Sequence, residues 1–318
     1  MASPTDRSRT PAVASPQDHL PLLVDRLARA SARPKAQWSE ILDPRTWGGR
    51  DHLRRLGPWD PLVETRLYRA RRDDPEIALA LQRTLAFYAV GVDLEHLLRK
   101  GLTNLAATLP ADHPAHGFIA HELREEAEHT AMFTWFAALA GEGFERHTSI
   151  SEAEIEKISA LAGDEPAVFL LYVISGELMF DRVQRAALAA DDTHPLIAGM
   201  DRYHCIEEAR HLSFGRGLLR SYLSGADAKQ RRRLTYEAPL VARWTSERML
   251  EMPPSLSAAV GATDEDVAEG RRAVRRSDLH RRCIGDLHRF CQGLGLVDDR
   301  LRGTWGIDRP EGTDERRP

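Results

Sequence analysis

Two nearly identical five-residue phrases constrain the fold of this 318-residue chain more than any other feature. EEAEH occupies Glu125–His129 and EEARH occupies Glu207–His211, so each phrase contains a glutamate and a histidine three positions apart. An α-helix turns by about 100° per residue, and groups at this spacing therefore lie on one face of a helix. Each phrase can offer a carboxylate and an imidazole to the same point in space.

The residues around the second phrase indicate that this face points inward. His204 lies four positions before Glu208, and these two residues form one narrow helical strip with His211. The same strip continues into apolar residues, Met200 on one side and Phe214 on the other. Burial of ionisable groups costs free energy unless they are paired or bound to a metal. The strip therefore predicts a metal site inside a helical bundle.

A dinuclear site built on two Glu-x-x-His helices requires one more carboxylate from each of two other helices. The apolar stretch FLLYVISGELMF contains a single acid, Glu177. In FYAVGVDLEHLL, Glu95 shares its helical stripe with Tyr88 and Val92, and is chosen for that reason. The predicted metal ligands are Glu95, Glu126, His129, Glu177, His204, Glu208 and His211.

The positions of these acids along the chain support the choice. Two antiparallel helices place residues opposite each other when both are equally far from the turn. The midpoint of Glu95 and Glu126 is 110.5, inside the turn sequence PADHP, and the midpoint of Glu177 and Glu208 is 192.5, inside DDTHP. Each pair is therefore expected to meet across a hairpin.

The other acids of this region are assigned to solvent or to positions behind the ligands: Glu122, Glu125, Glu128 and Glu207. Glu122 nevertheless shares a helical face with Glu126, four positions later. Asp181 and Asp201 lie one helical turn from predicted ligands. Two roles are open for them: hydrogen bonds to ligand histidines, or ordinary surface salt bridges. Tyr88 is interpreted as a core tyrosine.

Helical periodicity covers nearly all of the chain between its polar ends, with four long helices in the middle. Ser151 and Glu154 match a capping box at the start of the third, which should break at Gly163–Pro166 and then resume. The predicted long helices are Pro75–Leu109, Ala115–Ala140, a third from about Ser151, and Pro195–Leu223.

The predicted fold class is all-α, with a four-helix bundle core and additional N- and C-terminal helices. A single helical domain should cover residues 17–308, with the metal-binding bundle at about 75–223. Residues 1–16 are rich in Pro, Ser, Thr and Ala and should form a disordered tail, and residues 309–318 should be frayed.

Composition excludes several classes of protein. A net charge of −4 with intermixed signs shows no nucleic-acid footprint, and no apolar run reaches membrane-spanning length. The three cysteines (Cys205, Cys283 and Cys291) contain no C-x-x-C pair, which argues against a disulfide framework and for small buried side chains. The N-terminus lacks the apolar segment of a secretory signal, so a cytoplasmic protein is expected. Carboxylate and imidazole ligands without thiolates suit iron or manganese.

The motif HCIEEARH, which is His204-x-x-x-Glu208-x-x-His211, resembles the p-aminobenzoate N-oxygenase (AurF-type) family of di-iron proteins. The 27-residue interval from Glu177 to His204 is similar as well, and the likeness extends over about Pro75–Leu223. The resemblance implies a ferritin-like fold that binds two iron ions and activates O₂ with electrons from an external donor. It also implies that His204 tunes the iron centre, and that a homodimer oxidises a small aromatic amine toward hydroxylamine and nitro products in a biosynthetic pathway.

Other functions remain open on the residues alone. A di-iron C-hydroxylase of a small apolar substrate is the nearest alternative. A ferroxidase or iron-handling protein is another, although the C-terminal helices and the third histidine fit it poorly. A radical-generating subunit would need a tyrosine beside the metals, and Tyr88 is the candidate. A metal-free helical module would leave Glu177 unexplained. The aromatic residues near the ligands suit either an apolar pocket or an ordinary core: Phe87, Tyr88, Phe169, Phe180 and Phe214.

Overall fold

The computed structural model describes residues 16–33, 35–49, 53, 55–142 and 149–306, and within these ranges the chain is helical without β-strands. The helices in chain order are α1 (Pro16–Ser31), α2 (Trp38–Ile41), α3 (Arg66–Arg71), α4 (Leu79–Thr108), α5 (Ala115–Leu139), α6 (Glu152–Asp164), α7 (Pro166–Leu188), α8 (Pro195–Ser224), α9 (Ala228–Leu250), α10 (Pro254–Ala259), α11 (Asp264–Arg276) and α12 (Asp278–Gly293). Short 3₁₀ helices occupy Pro44–Trp47, Pro61–Glu64 and Asp299–Trp305. The predicted tails, 1–16 and 309–318, lie outside the described residues except for Pro16, where α1 begins.

The predicted ends of the long helices agree with local chemistry, with one difference. α4 begins at Leu79 and not near Pro75, because Asp74 accepts hydrogen bonds from the next backbone N–H groups and Ala78 adopts a left-handed φ of 47°. The capping box of Ser151 and Glu154 is formed at the start of α6. The break between α6 and α7 coincides with Pro166, which cannot donate a backbone hydrogen bond.

Four of these helices form the bundle that positions the site. α4 packs against α5, and α7 against α8, through connections of only six residues each, 109–114 and 189–194, so each pair is an antiparallel hairpin. α4 also contacts α7, α5 contacts α8, and α6 lies along α4. The all-α, ferritin-like class expected from the sequence is confirmed.

The packing of α4 on its neighbours depends on a glycine. An added Cβ at Gly101 would lie 2.1 Å from the ring of Phe169, so only glycine allows the two helices to approach this closely. Further from the core, α1 packs on α8 and α5, while α12 packs on α7 and α9. No described helix combines the length and the apolar character needed to span a membrane.

Candidate metal centre

Eight buried carboxylate and imidazole side chains meet in the centre of the bundle and form two groups. In each group, four ligand atoms lie within 4.8 Å of one another. The first group consists of Glu95, His129, His204 and Glu208, and the second of Glu122, Glu126, Glu177 and His211. The structure thus brings together all seven ligands predicted from the sequence and adds an eighth, Glu122.

The structure places Glu122 away from solvent, among the candidate ligands. Its side chain is 1% exposed, and one carboxylate oxygen lies in the second group. The signal was present in the sequence, because Glu122 precedes Glu126 by the same four positions by which His204 precedes Glu208. α5 and α8 therefore each present three groups with identical spacing to the bundle centre.

Several polar atoms of these side chains have no hydrogen-bond partner among the described residues although they are buried. They are Oε2 of Glu122, Oε1 of Glu126, both carboxylate oxygens of Glu177, Oε2 of Glu208 and Nδ1 of His211. His211 Nδ1 and Glu126 Oε1 are 2.8 Å apart, yet their orientation does not meet hydrogen-bond geometry. A buried polar atom left unpaired costs about 1–3 kcal/mol. Metal cations would satisfy these atoms, and this donor set fits iron or manganese.

The electrostatics of the cluster lead to the same interpretation. Burial raises the pKa of Glu122 and Glu177 well above the usual value, and neighbouring glutamates raise both further. Burial, followed by the negative charge of Glu126, also raises the pKa of Glu95 well above its usual value. Burial alone would raise the pKa of Glu126 as well. The charge of His211 and the hydrogen bonds to Glu126 outweigh burial, so the pKa of Glu126 is lowered. Without cations, this cluster must therefore retain protons.

Two candidate ligand histidines are hydrogen-bonded on their far side by glutamates of the opposite helix. His129 Nε2 donates to Glu207 at 2.9 Å, and His211 Nε2 donates to Glu125 at 2.9 Å. Each Nδ1 consequently points toward the ligand groups. Of the two positions considered for Glu125 and Glu207, the structure supports the one behind the ligands, since both are buried. Glu128 is half-buried and contacts the hydroxyl of Tyr203 at 3.4 Å.

Two basic side chains complete this outer layer. Lys35 contacts both Glu125 (2.5 Å) and Glu207, and Arg210 donates to Glu125 at 2.7 Å. Burial raises the pKa of each glutamate, but the hydrogen-bonded histidine and Lys35 outweigh it, so both pKa values are lowered. Both glutamates therefore remain ionised and accept hydrogen bonds from the histidines.

His204 is held by an uncharged group. Its Nδ1 lies 2.9 Å from Oε1 of Gln184, whose Nε2 donates to Asp201 at 3.0 Å. Burial, followed by the charge of His129, holds the pKa of His204 well below its usual value, so the imidazole is neutral. Asp201 therefore supports a ligand histidine only through Gln184. Asp181 instead forms a salt bridge with Arg185 at 2.7 Å.

Tyr88 lies in the core, as interpreted from the sequence. Its hydroxyl donates to Asp201 at 2.8 Å, and its ring stacks on Phe133 at 5.0 Å between centroids. Cys205, Cys283 and Cys291 are buried and free, as expected.

Two cavities lie near the candidate metal centre, and different residues line them. A cleft between α4 and α7, about 400 Å³ including its open mouth, reaches four candidate ligands, namely Glu95, Glu177, His204 and Glu208. A larger one, about 770 Å³ including its open mouth, reaches Gln184 and Asp201 but none of the candidate ligands. Of the two, the smaller cavity is the one lined by candidate ligands.

Known proteins provide an independent comparison. The family model described as P-aminobenzoate N-oxygenase AurF matches residues 22–295, which is most of the chain and includes every candidate ligand. This match confirms the resemblance inferred from HCIEEARH. One uncharacterised protein of Mycobacterium bovis and one of Mycobacterium tuberculosis are each 29% identical over 185 residues, covering 58% of this chain and 54% of the relative. The chain thus spans about half the length of these curated relatives, and no solved structure matches it significantly.

Proposed function

We propose that this chain, which belongs to the p-aminobenzoate N-oxygenase (AurF) family, is a di-iron monooxygenase that oxidises the nitrogen of an amine. Family membership supports an O₂-using oxidoreductase with two iron ions. The finer assignment, oxidation of an aromatic amine toward hydroxylamine and nitro products in a biosynthetic pathway, follows the family description.

The observation that carries the proposal is the set of buried, partnerless ligand atoms arranged in two adjacent groups. Without metal, both oxygens of Glu177 would be buried with no hydrogen-bond partner among the described residues, which costs free energy even when the carboxyl is protonated. Two groups of four oxygen and nitrogen atoms match a dinuclear carboxylate site in number and type.

The iron pair, when bound, would supply the redox chemistry that activates O₂. One ion would be held by the first group of ligands and the other by the second. Glu126 stands between the two groups, since Oε2 is 2.9 Å from His129 Nδ1 while Oε1 is 2.8 Å from His211 Nδ1. Glu207 and Glu125 keep these imidazoles oriented, and the apolar walls of the smaller cavity exclude water from the reacting face.

The proposed partners are a small-molecule amine, an external electron donor and a second copy of the chain, in the cytoplasm. The cavity between α4 and α7 supports an aromatic or apolar substrate, because Phe180 and aliphatic side chains form its wall. The same apolar wall favours the second candidate function, a di-iron C-hydroxylase. An iron-handling protein remains a third, and it would need no organic substrate.

Reaction of the reduced, iron-loaded protein with O₂ in the presence of a panel of arylamines tests the proposal. We expect hydroxylamine or nitro products by mass spectrometry, and none from protein loaded with redox-inert zinc. Oxygen found on carbon would favour the hydroxylase. Iron oxidation without any organic product, in a large shell on size exclusion, would favour iron handling.

A further inference from the structure

Lys35 contacts both of the glutamates that support candidate ligand histidines, and it reaches them from outside the four-helix bundle. The residue lies between α1 and α2. Its Nζ is 2.5 Å from Oε1 of Glu125 on α5, and it also donates a hydrogen bond to Oε1 of Glu207 on α8. One ammonium group therefore joins the outer sides of the two helices that carry the repeated phrases.

Both glutamates divide their two oxygens in the same way. In each, Oε1 accepts a hydrogen bond from Lys35. In Glu125, Oε2 accepts from Nε2 of His211 at 2.9 Å. In Glu207, Oε2 accepts from Nε2 of His129, also at 2.9 Å. A carboxylate that is hydrogen-bonded through both oxygens is held in one rotation, so the orientation of both imidazoles depends on the position of Lys35.

The segment that carries Lys35 is packed on α8 on both sides of this residue. Before it, Leu23 of α1 lies against Gly217, where an added Cβ would be 2.2 Å from Cδ2 of Leu23. After it, Leu42 lies against Gly199, where an added Cβ would be 2.8 Å from Cδ2 of Leu42. These apolar contacts position the backbone of Lys35 independently of its ion pairs. A substitution of the side chain should therefore leave the segment in place.

Arg210 is the other basic side chain on these glutamates, and it lies closer to one of them. Its Nη2 is 2.7 Å from Oε1 of Glu125 but 3.7 Å from Oε1 of Glu207. If Lys35 is lost, Glu125 keeps a hydrogen-bonded cation, whereas the guanidinium is too far from Glu207 to replace the ammonium. The loss of Lys35 should consequently disturb the support of His129 more than that of the other histidine.

We propose that Lys35 is a positioning residue shared by both halves of the candidate metal centre. It fixes the rotation of Glu125 and Glu207, and each glutamate in turn orients one imidazole. The inference rests on the metal centre of the proposed function, but not on the substrate or on the reaction. An ion pair that only anchored the segment after α1 would leave both imidazoles unaffected.

Proton NMR of the full chain loaded with cobalt(II) tests the proposal without any turnover. A paramagnetic cobalt ion strongly shifts the exchangeable N–H proton of each imidazole bound to it. The Nε2 protons of His129 and His211 should both give such signals. The Nδ1 proton of His204 should give another, and because it faces Gln184 and not a glutamate of the repeated phrases, it serves as an internal reference. Glu125→Gln and Glu207→Gln assign the two Nε2 signals, since each variant alters one partner.

Lys35→Met should shift the Nε2 proton signal of His129 and, less strongly, that of His211, and both protons should exchange faster with water. The His204 signal should not move. Cobalt affinity, measured by competition with a chelator, should fall about tenfold, at the lower end of the effect of removing a group that supports a ligand. Lys35→Arg, which keeps a cationic donor, should restore both signals in part. Added to Glu207→Gln, Lys35→Met should cost less affinity than it does alone, because one of its two targets is already altered.

Lys100→Met is the matched control. The side chains of Lys100 and Lys35 are both 32% exposed, but Lys100 pairs with Glu156 on the surface of α6. Signals and affinity in this control should match those of the unaltered protein. The inference would be overturned if Lys35→Met also matched the unaltered protein. Failure of the unaltered protein to bind cobalt or iron would overturn the metal centre, and with it both this inference and the proposed function. The expected signal changes in a protein that oxidises no amine would contradict the proposed function alone.

Discussion

Glu207 on α8 accepts a hydrogen bond from Nε2 of His129 on α5, and the reciprocal pair, Glu125 and His211, has the same length of 2.9 Å. The first glutamate of each repeated phrase therefore orients the histidine of the other phrase. This exchange explains why both phrases begin with two acids. One glutamate is a candidate ligand, and the other supports a ligand of the facing helix.

Glu207→Gln should weaken metal binding about 10- to 100-fold, because the neutral amide is a weaker acceptor for the Nε2 proton of His129 and no longer increases the basicity of that imidazole. The measurement is competition with a chelator on iron- or manganese-loaded protein. Glu128→Gln is the matched control, since Glu128 is half-buried and its hydrogen bond among the described residues is to Tyr203, which is not a candidate ligand. Equal affinity of both variants would contradict the supporting role of Glu207.

Glu177→Ala and Glu122→Ala should each lower the metal content from two ions per chain toward one, because both belong to the second group. Glu128→Ala should retain two ions. Metal analysis after reconstitution and removal of excess iron gives the count. If Glu122→Ala kept two ions while Glu177→Ala did not, Glu122 would be a buried neighbour of the site and not a ligand.

His204→Ala should keep appreciable iron, held by the remaining ligands, yet lose amine oxygenation. The neutral His204 fills a coordination position without adding negative charge, so it should influence reactivity more than affinity. Iron per chain and product per turnover can be measured on one preparation. Full iron with undiminished N-oxygenation would show that His204 is only a core histidine.

Gln184→Leu extends this test one step outward. The substitution removes the acceptor of the His204 Nδ1 proton and places an apolar side chain of similar size in the core. We expect retained iron, lowered oxygenation and an altered spectrum of the iron centre. The isosteric Gln184→Glu, which restores an acceptor, should recover part of the activity. If Gln184→Leu gave the same spectrum as the unaltered protein, Gln184 would not orient His204.

Metal should stabilise the fold more at pH 8 than at pH 5.5. The folded pKa values of Glu95, Glu122 and Glu177 are raised above 4.5, and those of His129 and His211 above 6.5. The metal-free fold thus binds extra protons, and its stability falls as the pH rises above about 4.5. The lowered pKa values of Glu125 and Glu207 change the stability only below about pH 4.5, outside the range from pH 5.5 to 8.

Bound cations displace these protons and prevent the loss of stability at higher pH. Metal uptake should therefore release protons. Thermal melts of metal-free and manganese-loaded protein at both pH values provide the measurement. A shift on loading that is the same at both pH values, or larger at pH 5.5, would contradict protonation of the empty cluster.

The spacing of residues along the sequence was sufficient to predict the helical class and seven of the eight candidate ligands. Helical periodicity places side chains three and four apart on one face. The hairpin midpoints place Glu95 opposite Glu126, and Glu177 opposite Glu208, from residue numbers alone. The same rule applied to α5 would have identified Glu122. These relationships are local or cross a single turn, so they are readable from residue positions.

Only the tertiary structure revealed the groups that support the ligands. Lys35 joins Glu125 and Glu207 across 90 and 172 residues, and Gln184 reaches His204 from the facing helix. No periodicity encodes such contacts, because they depend on how the segment after α1 and the helix α7 pack against α5 and α8, and on which rotamers the packed core allows. The sequence by itself determined which faces carry the metal chemistry, whereas the packing of distant segments decided which side chains orient each imidazole and where a substrate can enter.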